Sequence, residues 1–141
     1  MVTTQATARL AATSQRTFDS RSADPTPTSD ELTTWPVLTE VCALLARRVH
    51  NDAALDFLRW IQRGALAVDR AEATTLAAVL AVSERFADLP FDPADASVAE
   101  AAARLRIRAV VSIDADFDVY RDARGKPLIN LLRSTAGKGR P

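Results

Sequence analysis

The apolar run that ends at Ile113 constrains the fold more than any other stretch of the sequence. Residues 107–113 read IRAVVSI, and a second apolar run, PLINLL, occupies residues 127–132. Each run follows a helix or loop of the crossover length that a parallel pair of strands requires. Strands that alternate with helices favour a parallel sheet with helices on both faces. Ligands bind such sheets outside the carboxyl ends of the strands, where Asp114 lies. The sequence therefore predicts an α/β fold with a site at Asp114.

Four helices are predicted before residue 107. The first covers residues 36–49, with Pro36 in its first turn and apolar residues at helical spacing. The other three are marked by their capping residues: Asn51 before and Gly64 after the second, Asp69 and Glu72 as a capping box of the third, and Asp92 with Pro93 at the start of the fourth. A short strand is predicted at residues 65–68.

The length and composition are typical of one globular domain. The chain has 141 residues, of which 48% are hydrophobic and 26% are charged. Its single cysteine, Cys42, excludes an internal disulfide and suits a reducing compartment. The longest apolar run, residues 76–82, is too short to span a bilayer, and the N-terminus has no signal-peptide pattern. We therefore expect a cytoplasmic protein that does not contact the membrane.

The charged residues are unevenly distributed along a chain whose formal net charge is zero. Residues 1–100 contain 9 Lys and Arg against 14 Asp and Glu, whereas residues 101–141 contain 9 against 4. Zero net charge argues against nucleic-acid binding through bulk electrostatics, but a local basic surface near the C-terminus could meet a polyanion. The candidates for that surface are the C-terminal tail and Arg104, Arg106, Arg108, Arg121, Arg124 and Lys126. Ordinary solvated surface charge is the alternative for each of them.

The segment VVSIDADFDVYRD, residues 110–122, contains four aspartates directly behind the predicted strand. Carboxylates this close to one another and to an apolar core favour the protonated form unless a cation lies among them. The segment therefore predicts a cation at this end of the sheet, supplied either by Arg and Lys side chains or by a metal ion.

Two further acids lie on the apolar faces of predicted helices. Glu40 follows Val37 by three residues and so shares the apolar stripe of the first helix. Asp95 precedes Val98 by three residues and lies on the buried stripe of the fourth helix, although an acid in the first turn could also serve the helix N-terminus. A structural role and a ligand role stay open for each acid alone. Three acids from three elements, with Asp114 as the third, favour a common site.

Three segments of the chain resemble the PIN-domain ribonucleases of the VapC toxin type. They are TTWPVLTEV at 33–41, LPFDPADASVAEAAARL at 89–105, and VVSIDADFDVYR at 110–121 followed by PLINLL. The resemblance implies a three-layer α/β/α fold around a mainly parallel, five-stranded sheet. It also implies an endoribonuclease that depends on Mg²⁺ or Mn²⁺, a homodimer, and a VapB-like antitoxin that blocks the site, as in type II toxin–antitoxin systems.

The resemblance also assigns site residues by position. Glu40, Asp95 and Asp114 correspond to the family's metal-binding acids, and Asp116 is an accessory catalytic acid of the same cluster. This assignment suits the chemistry, because hard divalent ions prefer carboxylate oxygens and can activate water for attack on a phosphodiester.

The family pattern begins with an apolar strand that ends in an aspartate and lies in the middle of the sheet. Residues 1–30 show no such strand, and Asp19, Asp24 and Asp30 each lack a preceding apolar run. The sequence therefore predicts a disordered or degenerate N-terminal segment over residues 1–31, a PIN-like domain over 32–133, and a basic flexible tail over 134–141.

Two functions stay open from the sequence. One is an RNase toxin that cleaves RNA phosphodiesters through a carboxylate-bound divalent ion. The other is a catalytically impaired PIN-like module that retains only the dimer and antitoxin-binding contacts. Stabilisation of the folded protein by Mg²⁺ or Mn²⁺ separates an intact metal site from one that has been lost.

Overall fold

The computed structural model describes Arg9–Ala11 and residues 31–136. The five strands of the described residues are β1 (Arg9–Ala11), β2 (Glu31–Thr33), β3 (Ala67–Val68), β4 (Ala109–Val111) and β5 (Ile129–Asn130). The α-helices are α1 (Trp35–Arg48), α2 (Asn51–Trp60), α3 (Thr75–Arg85), α4 (Pro93–Leu105) and α5 (Leu131–Ala136). A π-helical turn, Ile61–Ala65, follows α2, and a 3₁₀-helix, Ala115–Asp118, follows β4.

The strands form one sheet in the order β3-β2-β1-β4-β5. The outer pairs, β2 with β3 and β4 with β5, are parallel, whereas β1 is antiparallel to both of its neighbours. Strands β2, β3, β4 and β5 therefore run in one direction and only the central strand is reversed. This arrangement confirms the predicted α/β fold with a mainly parallel sheet.

The central strand β1 corrects the sequence analysis, which found no strand in residues 1–30. Leu10 of β1 is aligned with Leu32 on one side and with Val110 on the other. A three-residue strand is too short to show alternation, and pairing on both edges holds it in place where local propensity does not. Residues 1–8 and 12–30 of the predicted N-terminal segment, which include its three aspartates, and residues 137–141 of the predicted tail lie outside the described residues, whereas Glu31 begins β2. The domain division stays a prediction, although α5 continues past residue 133 to Ala136.

The predicted helices α1 and α4 are found with the expected N-terminal signals. Pro36 lies in the first turn of α1, and Pro93 lies in the first turn of α4. The side chain of Asp92 caps α4 by accepting hydrogen bonds from the backbone N–H groups of Ala94 and Asp95, at 2.9 and 3.1 Å. These local signals suffice because proline and an aspartate cap act within one turn.

Two other capping predictions are wrong. His50, and not Asn51, caps α2, because its Nδ1 accepts a hydrogen bond from Ala53 N at 3.0 Å. Helix α3 begins at Thr75, well after the predicted capping box at Asp69. Asp69 instead extends the sheet, since its N–H donates to Thr33 O at 2.8 Å, and its carboxylate pairs with Arg104. Asp69 therefore makes tertiary contacts with the sheet and with Arg104 and does not cap a helix.

The main core lies where α4 packs against β4 and the segment after it. Val98, Val110 and Phe117 are fully buried at its centre, and Val37 of α1 and Leu128 complete it from other elements. A second, smaller core consists of Leu38, Ile61 and Leu66. The main core therefore fixes the start of α4 against the carboxyl end of β4. Among the described helices, none has the length and apolar character needed to cross a membrane.

Candidate metal centre

The first turn of α4 places Asp95 at the edge of the main core. Only 1% of Asp95 is exposed, and the Asp92 cap together with Pro93 fixes the backbone from which it projects. Its Oδ1 atom is buried and has no hydrogen-bond partner among the described residues. A buried carboxylate oxygen without a partner is energetically costly, which points to a ligand at this position.

The carboxyl end of β4 places Asp114 opposite Asp95. The N–H of Asp114 donates to Ser112 Oγ at 3.0 Å, and Asp114 Oδ1 accepts a hydrogen bond from Asp116 N at 2.8 Å. Asp114 thereby caps the 3₁₀-helix Ala115–Asp118, which brings Asp116 to the same end of the strand. The acidic turn behind β4 is thus ordered by its own first carboxylate.

Asp95, Asp114 and Asp116 form an acidic cluster. Each offers one carboxylate oxygen, and these three oxygens lie within 4.8 Å of one another. The structure therefore brings Asp95 and Asp114 together, and Asp116 joins them as the third member. That spacing suits carboxylates arranged around one hard cation.

Glu40 lies near this cluster but is not one of the three acids within 4.8 Å of one another. Its Oε2 atom is buried and has no hydrogen-bond partner among the described residues. Burial, followed by the charge of Asp92, raises the pKa of Glu40. Glu40 in turn adds to the negative potential at Asp95. The inward orientation expected from its helical phase is therefore consistent with a half-buried position beside the cluster.

Asp92 is a member of the site that the sequence analysis treated only as a helix cap. Its negative charge raises the pKa values of Glu40, Asp95 and Asp116. The signal was present in the sequence, since Asp92 precedes Asp95 by three residues and so lies next to it at the same helix end. The second role of Asp92 was not predicted, because helix capping is by itself a sufficient reason for an aspartate before a proline.

The electrostatics of the cluster are those of a group of acids without a cation. Burial first, and then the charges of Asp92, Asp114, Asp116 and Glu40, raise the pKa of Asp95 from 3.8 to about 7. Burial and the charges of Asp114 and Asp92 also raise the pKa of Asp116. The groups that shift the pKa values of Asp95 and Asp116 are other acids, whereas Asp118 of the same segment pairs with Arg133 at 3.1 Å. Of the two cations considered from the sequence, the described residues favour a metal ion over an Arg or Lys side chain.

Several of the arginines considered for a basic surface have partners within the chain. Arg104 pairs with Asp69 and Glu100, and Arg108 donates to Pro127 O at 2.9 Å. Arg121 donates to three backbone carbonyls, those of Asp118, Val119 and Tyr120. These contacts support structural roles for the three arginines, so a polyanion-binding surface built from them stays a prediction.

The donor set of the site fits a hard divalent cation. It consists of carboxylate oxygens, two of which, on Asp95 and Glu40, are buried and without hydrogen-bond partners among the described residues. A bound cation would satisfy these oxygens and favour the ionised acids, which otherwise repel one another. The assignments of Glu40, Asp95, Asp114 and Asp116 as functional residues stay predictions.

Comparison with solved structures supports the fold expected from the sequence. The chain is similar to the crystal structure of Mycobacterium tuberculosis VapC20, a sarcin–ricin loop cleaving toxin, with a TM-score of 0.60 and 21% sequence identity. The match covers 74% of this chain and 79% of that chain. Neither a protein-family model nor a curated protein matches the sequence. The chain therefore has a PIN-like α/β fold similar to that of VapC toxins.

Proposed function

We propose that the chain is a VapC-like endoribonuclease that cleaves RNA with the help of Mg²⁺ or Mn²⁺. The observation that supports this most directly is the convergence of Asp95, Asp114 and Asp116 within 4.8 Å at the carboxyl end of β4. The buried, unpartnered Oδ1 of Asp95 adds a second, independent indication of a ligand. The fold shared with a VapC toxin suggests the reaction class by analogy, and the acidic cluster carries the argument for the chemistry.

In this proposal the acidic residues hold the metal ion and do not act as nucleophiles. Asp95, Asp114 and Asp116 would be the ligands, and Glu40 of α1 would add negative charge beside them. When bound, the ion supplies Lewis acidity toward a phosphodiester and lowers the pKa of an attacking water. Asp92 keeps the start of α4 in place, so that Asp95 projects toward Asp114. Asp95 is buried, whereas Glu40, Asp114 and Asp116 are half-buried.

The partners are proposed on the same basis. RNA is the substrate, a VapB-like antitoxin blocks the site, and two copies of the chain form a homodimer in the cytoplasm. The structural neighbour is described as a toxin that cleaves the sarcin–ricin loop. An RNA hairpin with that loop is therefore a rational first substrate for this chain.

The second candidate function is that of a PIN-like module that has the fold but does not catalyse cleavage. The described part of the central strand, Arg9–Ala11, contains no acidic residue, whereas the resemblance places an aspartate at the end of that strand. The strand also runs antiparallel to both neighbours. These observations favour the catalytically impaired module, which would retain only the dimer and antitoxin-binding contacts.

One set of measurements separates the two functions. The purified full-length chain is incubated with the RNA hairpin and Mg²⁺ or Mn²⁺, with and without a chelator, and thermal unfolding is followed in the same buffers. We expect cleavage that requires metal and is lost in Asp95→Asn and in Asp114→Asn. Asp56→Asn is the matched control, because Asp56 is an exposed acid paired with Arg59 on α2. Cleavage that persists in both site variants would place the chemistry elsewhere.

The thermal midpoint, measured with and without metal, distinguishes the cases in which no cleavage is found. Stabilisation by metal without any cleavage would show that the metal site is intact and would contradict cleavage of this RNA hairpin by the chain. A thermal midpoint that metal does not change, together with no cleavage, would contradict the proposed metal centre and support the impaired module.

A further inference from the structure

We propose that Asn130 is a positioning residue for the acidic cluster and that it acts through Ser112 on Asp114 and Asp116. This inference rests on the proposed metal-dependent function. Ser112 and Asn130 lie at the adjacent ends of β4 and β5. Neither side chain is ionisable, so neither is a candidate acidic ligand.

The side-chain amide of Asn130 joins the ends of the two strands. It is 5% exposed, and its Nδ2 donates a hydrogen bond to Ser112 O at 2.9 Å. Its Oδ1 accepts hydrogen bonds from Leu132 N at 3.2 Å and from Ser112 N at 3.4 Å. One amide therefore satisfies both backbone groups of Ser112, just beyond β4, and also the start of α5. Only a side chain with both a donor and an acceptor can make this set of contacts.

Ser112 connects Asn130 to the acidic cluster. It is fully buried, and its Oγ accepts a hydrogen bond from Asp114 N at 3.0 Å. The Oδ1 atom of Asp114 then accepts a hydrogen bond from Asp116 N at 2.8 Å. These hydrogen bonds, joined by the covalent bonds within Ser112 and Asp114, connect Asn130 to a carboxylate of the acidic cluster.

These hydrogen bonds set the direction in which the carboxylates point. The bond from Ser112 fixes the backbone of Asp114, and the bond from Asp116 N engages one of its two carboxylate oxygens. Groups that orient metal ligands in this way affect metal affinity by about 10- to 100-fold when they are removed. A residue that only stabilised the fold would change stability and leave the affinity of the folded protein unchanged.

The test is Mn²⁺ binding by isothermal titration calorimetry on the full-length chain, well below the unfolding temperature. The variants are Asn130→Ala, Ser112→Ala and Ser112→Thr, of which the last keeps the hydroxyl group. We expect the Mn²⁺ dissociation constant to rise about tenfold or more in the two alanine variants and to stay within about twofold in Ser112→Thr. Ile61→Val is the control for a general loss of stability, because Ile61 belongs to the second core, which includes none of these residues.

Each outcome decides the inference. If the alanine variants fold and bind Mn²⁺ as the unmodified chain does, Asn130 and Ser112 are structural and the inference is wrong. If Asn130→Ala does not fold, the comparison of Ser112→Ala with Ser112→Thr decides, since the hydroxyl is the link to Asp114. If the unmodified chain binds no Mn²⁺, the metal centre itself fails, and the positioning role fails with it. If Ile61→Val weakens binding as strongly as the alanine variants do, the effect comes from stability and the inference is wrong.

Discussion

Asp95, in the first turn of α4, and Asp114, at the carboxyl end of β4, place carboxylate oxygens within 4.8 Å of each other. The charge of Asp114 is one of the causes that raise the pKa of Asp95. Two carboxylates held this close in a buried setting repel each other unless a proton or a cation lies between them. The packing of α4 on β4 therefore imposes an electrostatic cost at this point, which a proton or a cation can relieve.

Asp95 should make the metal-free protein less stable as the pH rises from about 4 to about 7. Burial and neighbouring acids raise its pKa from 3.8 to about 7, so the folded state holds this proton more tightly than the unfolded state does. The stabilisation is fully present below the unfolded pKa and is lost as the pH rises through the folded pKa. At about 1.4 kcal/mol per pKa unit, the loss approaches about 4 kcal/mol.

Urea unfolding with a chelator, between pH 4 and pH 8, measures this loss. Other groups also titrate in that range, so the relevant quantity is the difference between the unmodified chain and Asp95→Asn. We expect the unmodified chain to lose stability relative to the variant until about pH 7 and to run parallel to it above that pH. Identical slopes in the two proteins would show that Asp95 has an ordinary pKa.

Divalent metal should raise the thermal midpoint of the chain. An ion that binds only the folded state stabilises it by about 2.7 kcal/mol at a concentration of 100 times its dissociation constant. For a chain of this size, that corresponds to a shift of about 5–10 °C. The shift should be smaller at pH 5 than at pH 8, because protons compete with the metal for Asp95.

Differential scanning fluorimetry with Mg²⁺ or Mn²⁺ checks this prediction, with Asp114→Asn as the site variant and Asp56→Asn as the control. The shift should be lost in the first and retained in the second. An equal shift in all three proteins would indicate metal binding away from the acidic cluster.

Asp92 should have two separable effects, one on helix α4 and one on Asp95. Asp92→Ala removes the cap that accepts from Ala94 N and Asp95 N, which costs about 0.5–2 kcal/mol of stability. Asp92→Asn keeps a good capping residue but removes the charge that raises the pKa of Asp95. We therefore expect Asp92→Asn to be nearly as stable as the unmodified chain and to lower the pKa of Asp95.

Chemical denaturation and NMR titration of the Asp95 carboxyl carbon measure the two effects on the same samples. If Asp92→Asn left the pKa of Asp95 unchanged, Asp92 would be a cap alone, as the sequence first indicated.

The parts of the fold that could be predicted from the sequence are those with local causes. Pro36 and the Asp92–Pro93 pair mark helix starts within one turn, and the apolar run before Asp114 marks a strand end. Two of the acids in the cluster, Asp95 and Asp114, followed from helical phase and strand position. These local signals suffice to predict the helix starts, the strand end and the two acids, because they do not depend on which elements pack together.

The parts that could not be predicted depend on contacts between distant segments. Strand β1 is held by β2 and β4, which are remote in the sequence. The local sequence around Asp69 predicts a helix cap, but in the fold its carboxylate pairs with Arg104 and its N–H donates a hydrogen bond to Thr33 O. Asn130 looks like an ordinary residue of an apolar run, and only its contacts with Ser112 reveal a link to the cluster.

Glu40 provides the last prediction, because the resemblance names it as a metal ligand and the structure places it beside the three converging acids. Its Oε2 is buried without a hydrogen-bond partner among the described residues, yet its charge raises the pKa of Asp95 less than the charges of Asp92, Asp114 and Asp116 do. We expect Glu40→Gln, which removes the charge and nearly keeps the shape, to weaken Mn²⁺ binding clearly less than Asp114→Asn does. Calorimetric titration of both variants at pH 7.5 gives the comparison, and Glu72→Gln, an acid outside the site, serves as the control. Equal losses of affinity in Glu40→Gln and Asp114→Asn would instead make Glu40 a direct ligand, drawn onto the ion by a movement of its side chain from α1.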